Sequence, residues 1–151
     1  MSLTLIIIIV GLVADRITKL WAIANLKGTE GIVVIKNFFT LDYLENRGAA
    51  FGMLQNKQWL FIIITVTVVA FMIFYLIKRK PTHKLVYISM GMIISGAIGN
   101  NFIDRAFYNY VVDFIMLHYK NLYYFPTFNV ADILICVGTF FLLICILKDE
   151  I

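Results

Sequence analysis

Two aspartates in this sequence have apolar neighbours. Asp113 lies within Val-Val-Asp-Phe-Ile at 111–115, and Asp132 ends Phe-Asn-Val-Ala-Asp at 128–132. Two carboxyl groups that share a semi-apolar site cannot easily both ionise, so one serves as an acid and the other as a base. Such a pair can activate water against a peptide carbonyl without a metal or a covalent nucleophile. Asn129, three residues before Asp132, falls on the same helical face if the helix extends that far.

Spacing alone leaves a structural interpretation open. Asp132 can simply cap a helix, and Asp113 can be a solvated loop residue. Two further carboxylates stand beside cations: Asp15 lies four residues before Lys19, and Asp104 directly precedes Arg105. These can be an ordinary ion pair and an interfacial helix end. Residue types and spacing therefore indicate a site without naming a reaction.

The composition places these groups in a membrane protein. Of the 151 residues, 62% are hydrophobic and 15% are charged, against about half and about a quarter in soluble domains. A chain this short cannot bury that excess, so lipid is the expected solvent. Cys136 and Cys145 lie about 13 Å apart on one helix, too far for a disulfide. With only His83 and His118 in the chain, no metal-binding spacing exists and no cofactor is expected.

Four apolar stretches are long enough to cross a bilayer as helices; they are Leu3–Ala24, Trp59–Ile77, Leu85–Ile103 and Ala131–Leu147. The basic run from Lys78 to Lys84 is expected in the cytoplasm rather than on nucleic acid, which places both termini there as well. Asp15, Asp104, Asp113 and Asp132 then all lie toward the outer face. The expected fold is an all-α integral membrane protein with four transmembrane helices in a single domain over residues 1–151.

Two segments are expected outside the membrane. Residues 25–58 contain a β-branched and aromatic run at 31–43 bounded by glycine and asparagine, which predicts a short strand or hairpin between helices one and two. Residues 105–128 carry five tyrosines, which we interpret as interfacial anchors.

Five motifs, in order along the chain, resemble the lipoprotein signal peptidase family. They are Asp-Arg-Ile-Thr-Lys at 15–19, Asn-Arg-Gly-Ala-Ala-Phe-Gly at 46–52, Ser-Gly-Ala-Ile-Gly-Asn-Asn-Phe-Ile-Asp-Arg at 95–105, Val-Val-Asp-Phe at 111–114 and Phe-Asn-Val-Ala-Asp at 128–132. Each is weak alone, but five in register on a chain with four apolar helices are specific.

The resemblance implies an aspartic endopeptidase in the bacterial cytoplasmic membrane, with its active site at the extracytoplasmic face. It implies Asp113 and Asp132 as the catalytic dyad. The residues that it implies for substrate binding or support of the site are Asp15, Lys19, Asn46, Gly48, Gly99, Asn100, Asn101, Asp104, Arg105, Asn129 and Ala131. The implied substrates are diacylglyceryl-modified prolipoproteins, cut just before the lipidated cysteine. Membrane lipids and inhibition by globomycin-type cyclic peptides are implied as well, and the outer segment at 25–58 would form a small sheet-like cradle.

The third motif has one residue more than the family pattern between its glycines and Asp104. Either Asn100 or Asn101 can take the place of the motif asparagine. Asn101 is favoured because it keeps the three-residue spacing to Asp104 on a helix, and a local helix bulge can also absorb the extra residue.

Other classes of protein remain as alternatives. A serine intramembrane protease is disfavoured because neither histidine falls in an apolar stretch. A small transporter would place carboxylates along a path across the bilayer rather than at one face, and a non-proteolytic assembly subunit would not explain a pair of aspartates.

Overall fold

A computed structural model describes residues 1–48 and 57–149 of the chain. Positions 49–52, the end of the second motif, lie outside the described residues. The helices are α1 (Ser2–Leu26), α2 (Gln58–Arg79), α3 (Lys84–Ala97), the short α4 (Arg105–Tyr108) and α5 (Val130–Leu147). Between α3 and α4 the chain forms a π-helical segment, Ile98–Asp104.

Three helical stretches in the described part of the chain are long and apolar enough to cross a membrane: Gln58–Arg79, Lys84–Tyr108 and Val130–Leu147. Helix α1 has 25 residues but does not count among them. Every 18-residue stretch of α1 contains Asp15, Arg16 and Lys19. Of the four spans predicted, the structure therefore supports three by length and composition, because the first helix carries three ionisable side chains. Two of these, Asp15 and Lys19, are buried inside the protein rather than facing lipid.

The fold also contains an antiparallel sheet of four strands in the order β1-β2-β3-β4, so the all-α assignment was wrong. The strands are β1 (Ile32–Ile35), β2 (Phe39–Asn46), β3 (Val111–Tyr119) and β4 (Tyr123–Tyr124). The hairpin predicted between the first two helices is confirmed as β1 and β2. The other two strands come from the segment interpreted only as interfacial tyrosines. Its run at 111–115 is mostly β-branched and aromatic, and such side chains favour a strand once a partner is present.

Helix α3 packs closely against α1 and α5 because small residues lie at the contacts. A Cβ atom on Gly96 would collide with the carbonyl oxygen of Ala131 on α5. A Cβ on Gly99, in the π-helical segment, would lie 2.8 Å from Oδ2 of Asp15 on α1. These close approaches bring polar groups of the three helices into one cluster beneath the sheet.

Candidate active site

Asp113 is fixed in the sheet. It lies on β3 opposite Leu44 of β2, and only 2% of its surface is exposed. Its Oδ1 accepts a hydrogen bond from Nδ2 of Asn129 at 2.6 Å, and its Oδ2 accepts one from Nδ2 of Asn46 at 2.9 Å. Burial on a paired strand holds this carboxyl much more firmly than the solvated loop considered from the sequence would.

Asp132 is fixed at the start of α5 by a reciprocal capping box with Asn129. The backbone N–H of Asp132 donates to Oδ1 of Asn129 at 3.1 Å, and the backbone N–H of Asn129 donates to Oδ2 of Asp132 at 3.0 Å. Oδ1 of Asp132 accepts from Nδ2 of Asn100 at 2.8 Å. The interpretation of Asp132 as a helix cap is therefore correct. It is compatible with a role in acid–base chemistry, because the capping hydrogen bonds fix the carboxyl group where it also contacts Asn100.

Asn129 is fully buried and joins the two aspartates. Its amide NH₂ contacts Oδ1 of Asp113, while its oxygen and backbone engage Asp132. Burial raises the pKa of Asp113 to about 7, the negative charge of Asp132 adds to the rise, and the amide donors of Asn46 and Asn129 oppose it. At neutral pH the pair is therefore suited to holding one proton between two carboxyl groups.

A buried lysine supports the pair from α1. Nζ of Lys19 lies 2.8 Å from Oδ2 of Asp15, 2.7 Å from Oδ2 of Asp104 and 2.6 Å from Oδ1 of Asn100. Because Lys19 binds the oxygen of Asn100, the NH₂ group of that amide faces Asp132. The other oxygen of Asp15 accepts from the backbone N–H of Ala131 at 3.1 Å, which ties α1 to the start of α5.

The structure brings Asn100, and not the favoured Asn101, into a hydrogen bond with Asp132. Oδ1 of Asn101 instead accepts from Nε of Arg105 at 3.1 Å. The π-helical segment, the bulge considered from the sequence, widens the turn and absorbs the extra residue. The three-residue spacing used to favour Asn101 assumed a regular helix, and that assumption fails here.

Arg105 joins the π-helical segment to the chain at the end of β2 and the start of α2. Its Nη2 donates to the carbonyl oxygen of Gly48 at 2.7 Å, its Nη1 donates to Oε1 of Gln58 at 2.8 Å, and its guanidinium lies 4.2 Å from the ring centroid of Phe61. Gln58 and Phe61 were missed from the sequence, because they begin an otherwise ordinary apolar helix.

Two cavities meet at Asp113 and Asp132. The large cavity, of about 1170 Å³, is mainly apolar; its walls include Leu44, Tyr123, Phe125, Ile133, Cys136 and Val137. The small cavity, of about 200 Å³, is lined by Asn100, Asn101, Arg105, Val111, Phe61 and Ile135. Asn46 and Gly48 line both. Strand β4 forms part of the wall of the large cavity. Apart from its aromatic residues, nothing in the sequence predicts this position.

The residues that the family resemblance implies all lie in or beside this cluster. In the described residues no group of three or more histidine, cysteine, aspartate or glutamate side chains is arranged to hold a metal ion. The arrangement is a buried carboxyl pair with fixed amide donors and an adjoining apolar cavity. Acid–base activation of water is the chemistry that it can perform.

Comparison with known proteins gives consistent results. Residues 7–148 match the family described as signal peptidase (SPase) II. A lipoprotein signal peptidase of Clostridium novyi (strain NT) is 53% identical over 144 residues, covering 95% of this chain and 97% of the relative. That of Clostridium tetani (strain Massachusetts / E88) is 54% identical over 146 residues, covering 97% and 93%.

Two solved structures are also similar. One, described as a bacterial membrane enzyme structure by the in meso method at 2.3 Å resolution, has a TM-score of 0.87 at 31% identity and covers 99% of this chain and 90% of its own. A second of the same description, at 1.9 Å, has a TM-score of 0.85 at 31% identity, covering 99% and 95%. With nearly the whole chain matched in sequence and in fold, the chain belongs to the signal peptidase II family.

Proposed function

We propose that this protein is an aspartic endopeptidase that removes the signal peptide from prolipoproteins. The observation that carries the proposal is the buried pair Asp113 and Asp132, joined by Asn129 and open to a large apolar cavity. The relatives' printed name, lipoprotein signal peptidase, supports the same substrate class. The carboxylates gather in one cluster beside the sheet, and no observation favours the transporter or assembly-subunit alternative.

The pair hydrolyses a peptide bond by general acid–base catalysis. The ionised aspartate takes a proton from water as the water oxygen bonds to the scissile carbonyl carbon. The protonated aspartate gives its proton to the carbonyl oxygen, which yields a neutral tetrahedral diol. When the C–N bond breaks, the aspartate that took the proton from water gives it to the leaving nitrogen, and the other aspartate takes one hydroxyl proton from the diol. One water is consumed, and the dyad holds one proton as it did at the start. The pair titrates as a unit, so the roles belong to the pair.

The cavity matches a lipid-modified substrate. Its walls carry aromatic and aliphatic side chains from β4 and α5, while Asp113 and Asp132 lie at its polar end. A diacylglyceryl-modified cysteine would keep its acyl chains in lipid and present the preceding peptide bond to the dyad. A globomycin-type cyclic peptide would occupy the same cavity and so act as an inhibitor.

The membrane arrangement is part of the proposal. Helix α1 crosses the bilayer as a fourth span, because Asp15 and Lys19 neutralise one another inside the protein. The basic run from Lys78 to Lys84 and both termini lie in the cytoplasm. The whole chain is then one multi-pass domain of the bacterial cytoplasmic membrane, and the sheet and dyad face the opposite side.

The direct test is cleavage of a purified diacylglyceryl-modified prolipoprotein in detergent without added metal. Asp113→Asn and Asp132→Asn should each fold and bind substrate yet lose about 10² to 10⁴ in kcat. The double variant should be little worse than either single one, because residues that act as a unit do not add. The exposed Glu30→Gln is the matched control and should keep full activity. Normal turnover by either single asparagine variant would refute the assignment of the dyad.

A further inference from the structure

The small cavity lies on the opposite flank of the dyad from the large one. On α5, about 100° separates successive residues. Ile133, Cys136 and Val137 of the large cavity therefore lie about 40° to 140° to one side of Asp132, and Ile135 of the small cavity lies about 60° to the other side. The remaining walls differ as well, since the large cavity is bounded by β4 and the small one by the π-helical segment and α2.

The small cavity has the size and polarity to hold water. Its volume of about 200 Å³ accommodates several molecules, since liquid water occupies about 30 Å³ per molecule. Asn46, Asn100, Asn101, Arg105 and both aspartates line it. A cavity with this many hydrogen-bonding groups satisfies the two to four partners that an ordered water needs.

Asn101 supplies a donor that the described site does not otherwise use. Its Oδ1 accepts from Arg105, which turns its NH₂ group away from the guanidinium. Among the described residues no acceptor is bonded to that NH₂ group. Asn101 lies in the wall of the same cavity as Asp113 and Asp132, so its NH₂ group is available to hold a water that passes to the carboxyl pair.

We propose that the small cavity is a water chamber that delivers the hydrolytic water to the dyad from the side opposite the substrate. The proposal rests on the proposed peptidase function. The bound substrate occupies the large apolar cavity and blocks access of water from that side. The polar chamber keeps water at the carboxyl pair while the substrate is bound, and each turnover draws one molecule from it.

The matched test uses two isoleucines of α5 that flank Asp132. Ile135→Phe should narrow the small cavity, and Ile133→Phe makes the same change in the wall of the large one. We expect Ile135→Phe to lower kcat at least tenfold with KM within twofold of the wild type. We expect Ile133→Phe to raise KM at least fivefold with a smaller effect on kcat.

Ile135 also packs near Gly96, where a larger side chain could disturb folding. Asn101→Leu is therefore the second variant, because it removes the polar donor from the chamber with little change in volume. Asn101→Leu should lower kcat about tenfold and leave KM unchanged. Thermal unfolding of Ile135→Phe and Asn101→Leu shows whether each variant is folded. A rise in KM at unchanged kcat, or wild-type kinetics in a folded Asn101→Leu, overturns the water chamber. Wild-type activity in the two aspartate variants would instead overturn the peptidase mechanism itself.

Discussion

Replacement of Asp113 by asparagine should make the protein more stable at alkaline pH while it lowers kcat by about 10² to 10⁴. The pKa of Asp113 rises from 3.8 to about 7, first because it is buried and then because Asp132 is near. Between about pH 4 and pH 7 the native state therefore keeps a proton that the unfolded chain releases. In that window the free energy of unfolding falls as the pH rises.

The magnitude follows from the size of the shift. About three pKa units correspond to about 4 kcal/mol of stability lost between pH 4 and pH 7. Asparagine carries no charge, but it can accept a hydrogen bond from only one of Asn46 and Asn129. The lost bond costs about 1 to 2 kcal/mol. Asp113→Asn should therefore gain about 2 kcal/mol at pH 8 and gain nothing at pH 4.5.

Thermal unfolding in detergent, followed by tryptophan fluorescence, measures this. A gain of 2 kcal/mol corresponds to a rise in Tm of about 4 to 8 °C in a chain of this size. Glu30→Gln, at an exposed carboxyl, should change Tm by a similar small amount at both pH values. An equal change at pH 4.5 and pH 8 for Asp113→Asn, or a lower Tm at pH 8, would refute the reasoning from a buried carboxyl.

Three further outcomes are expected. Lys19→Met should destabilise the protein by about 3 to 5 kcal/mol, because it removes the buried cation between the carboxylates of Asp15 and Asp104, and adding Asp104→Asn should restore part of the lost Tm. Gly96→Ala should lower both Tm and kcat, at a cost of about 1 to 3 kcal/mol, because its Cβ pushes α5 away from α3. In a cysteine-free variant, an impermeant thiol reagent applied from outside the cell should label Asn121→Cys and not Thr82→Cys; the reverse pattern contradicts the proposed orientation.

Most of the residues that gather at the candidate site, and the three apolar spans, were predictable from the sequence. Asp113 and Asp132 can be identified as candidate site residues because a carboxyl group between apolar residues is unusual. Helices α2, α3 and α5 follow from runs of apolar residues, since the length needed to cross lipid is a local property. The motifs added the identity of the family, which the comparisons confirm.

The sheet was only half predictable. The hairpin of β1 and β2 is local, and its turn residues and β-branched run indicate it. Strand β3 becomes a strand by pairing with the distant β2, and the side-chain hydrogen bond between Asn46 of β2 and Asp113 of β3 joins residues 67 positions apart. The sequence around Val111 does not indicate which strand this segment pairs with, so Asp113 was placed in a loop.

The sequence by itself determined the carboxylates and amides at the centre of the site and the apolar helices around them, because chemical type and apolar length are properties of each residue and its neighbours. The tertiary structure alone decided which of them meet. The π-helical segment turns Asn100 rather than Asn101 toward Asp132, and Lys19 sets the direction of that amide. The two cavities likewise exist only once α5, β3 and the π-helical segment are packed together. Helix geometry and contacts between distant residues are collective properties of the folded chain, and local spacing does not contain them.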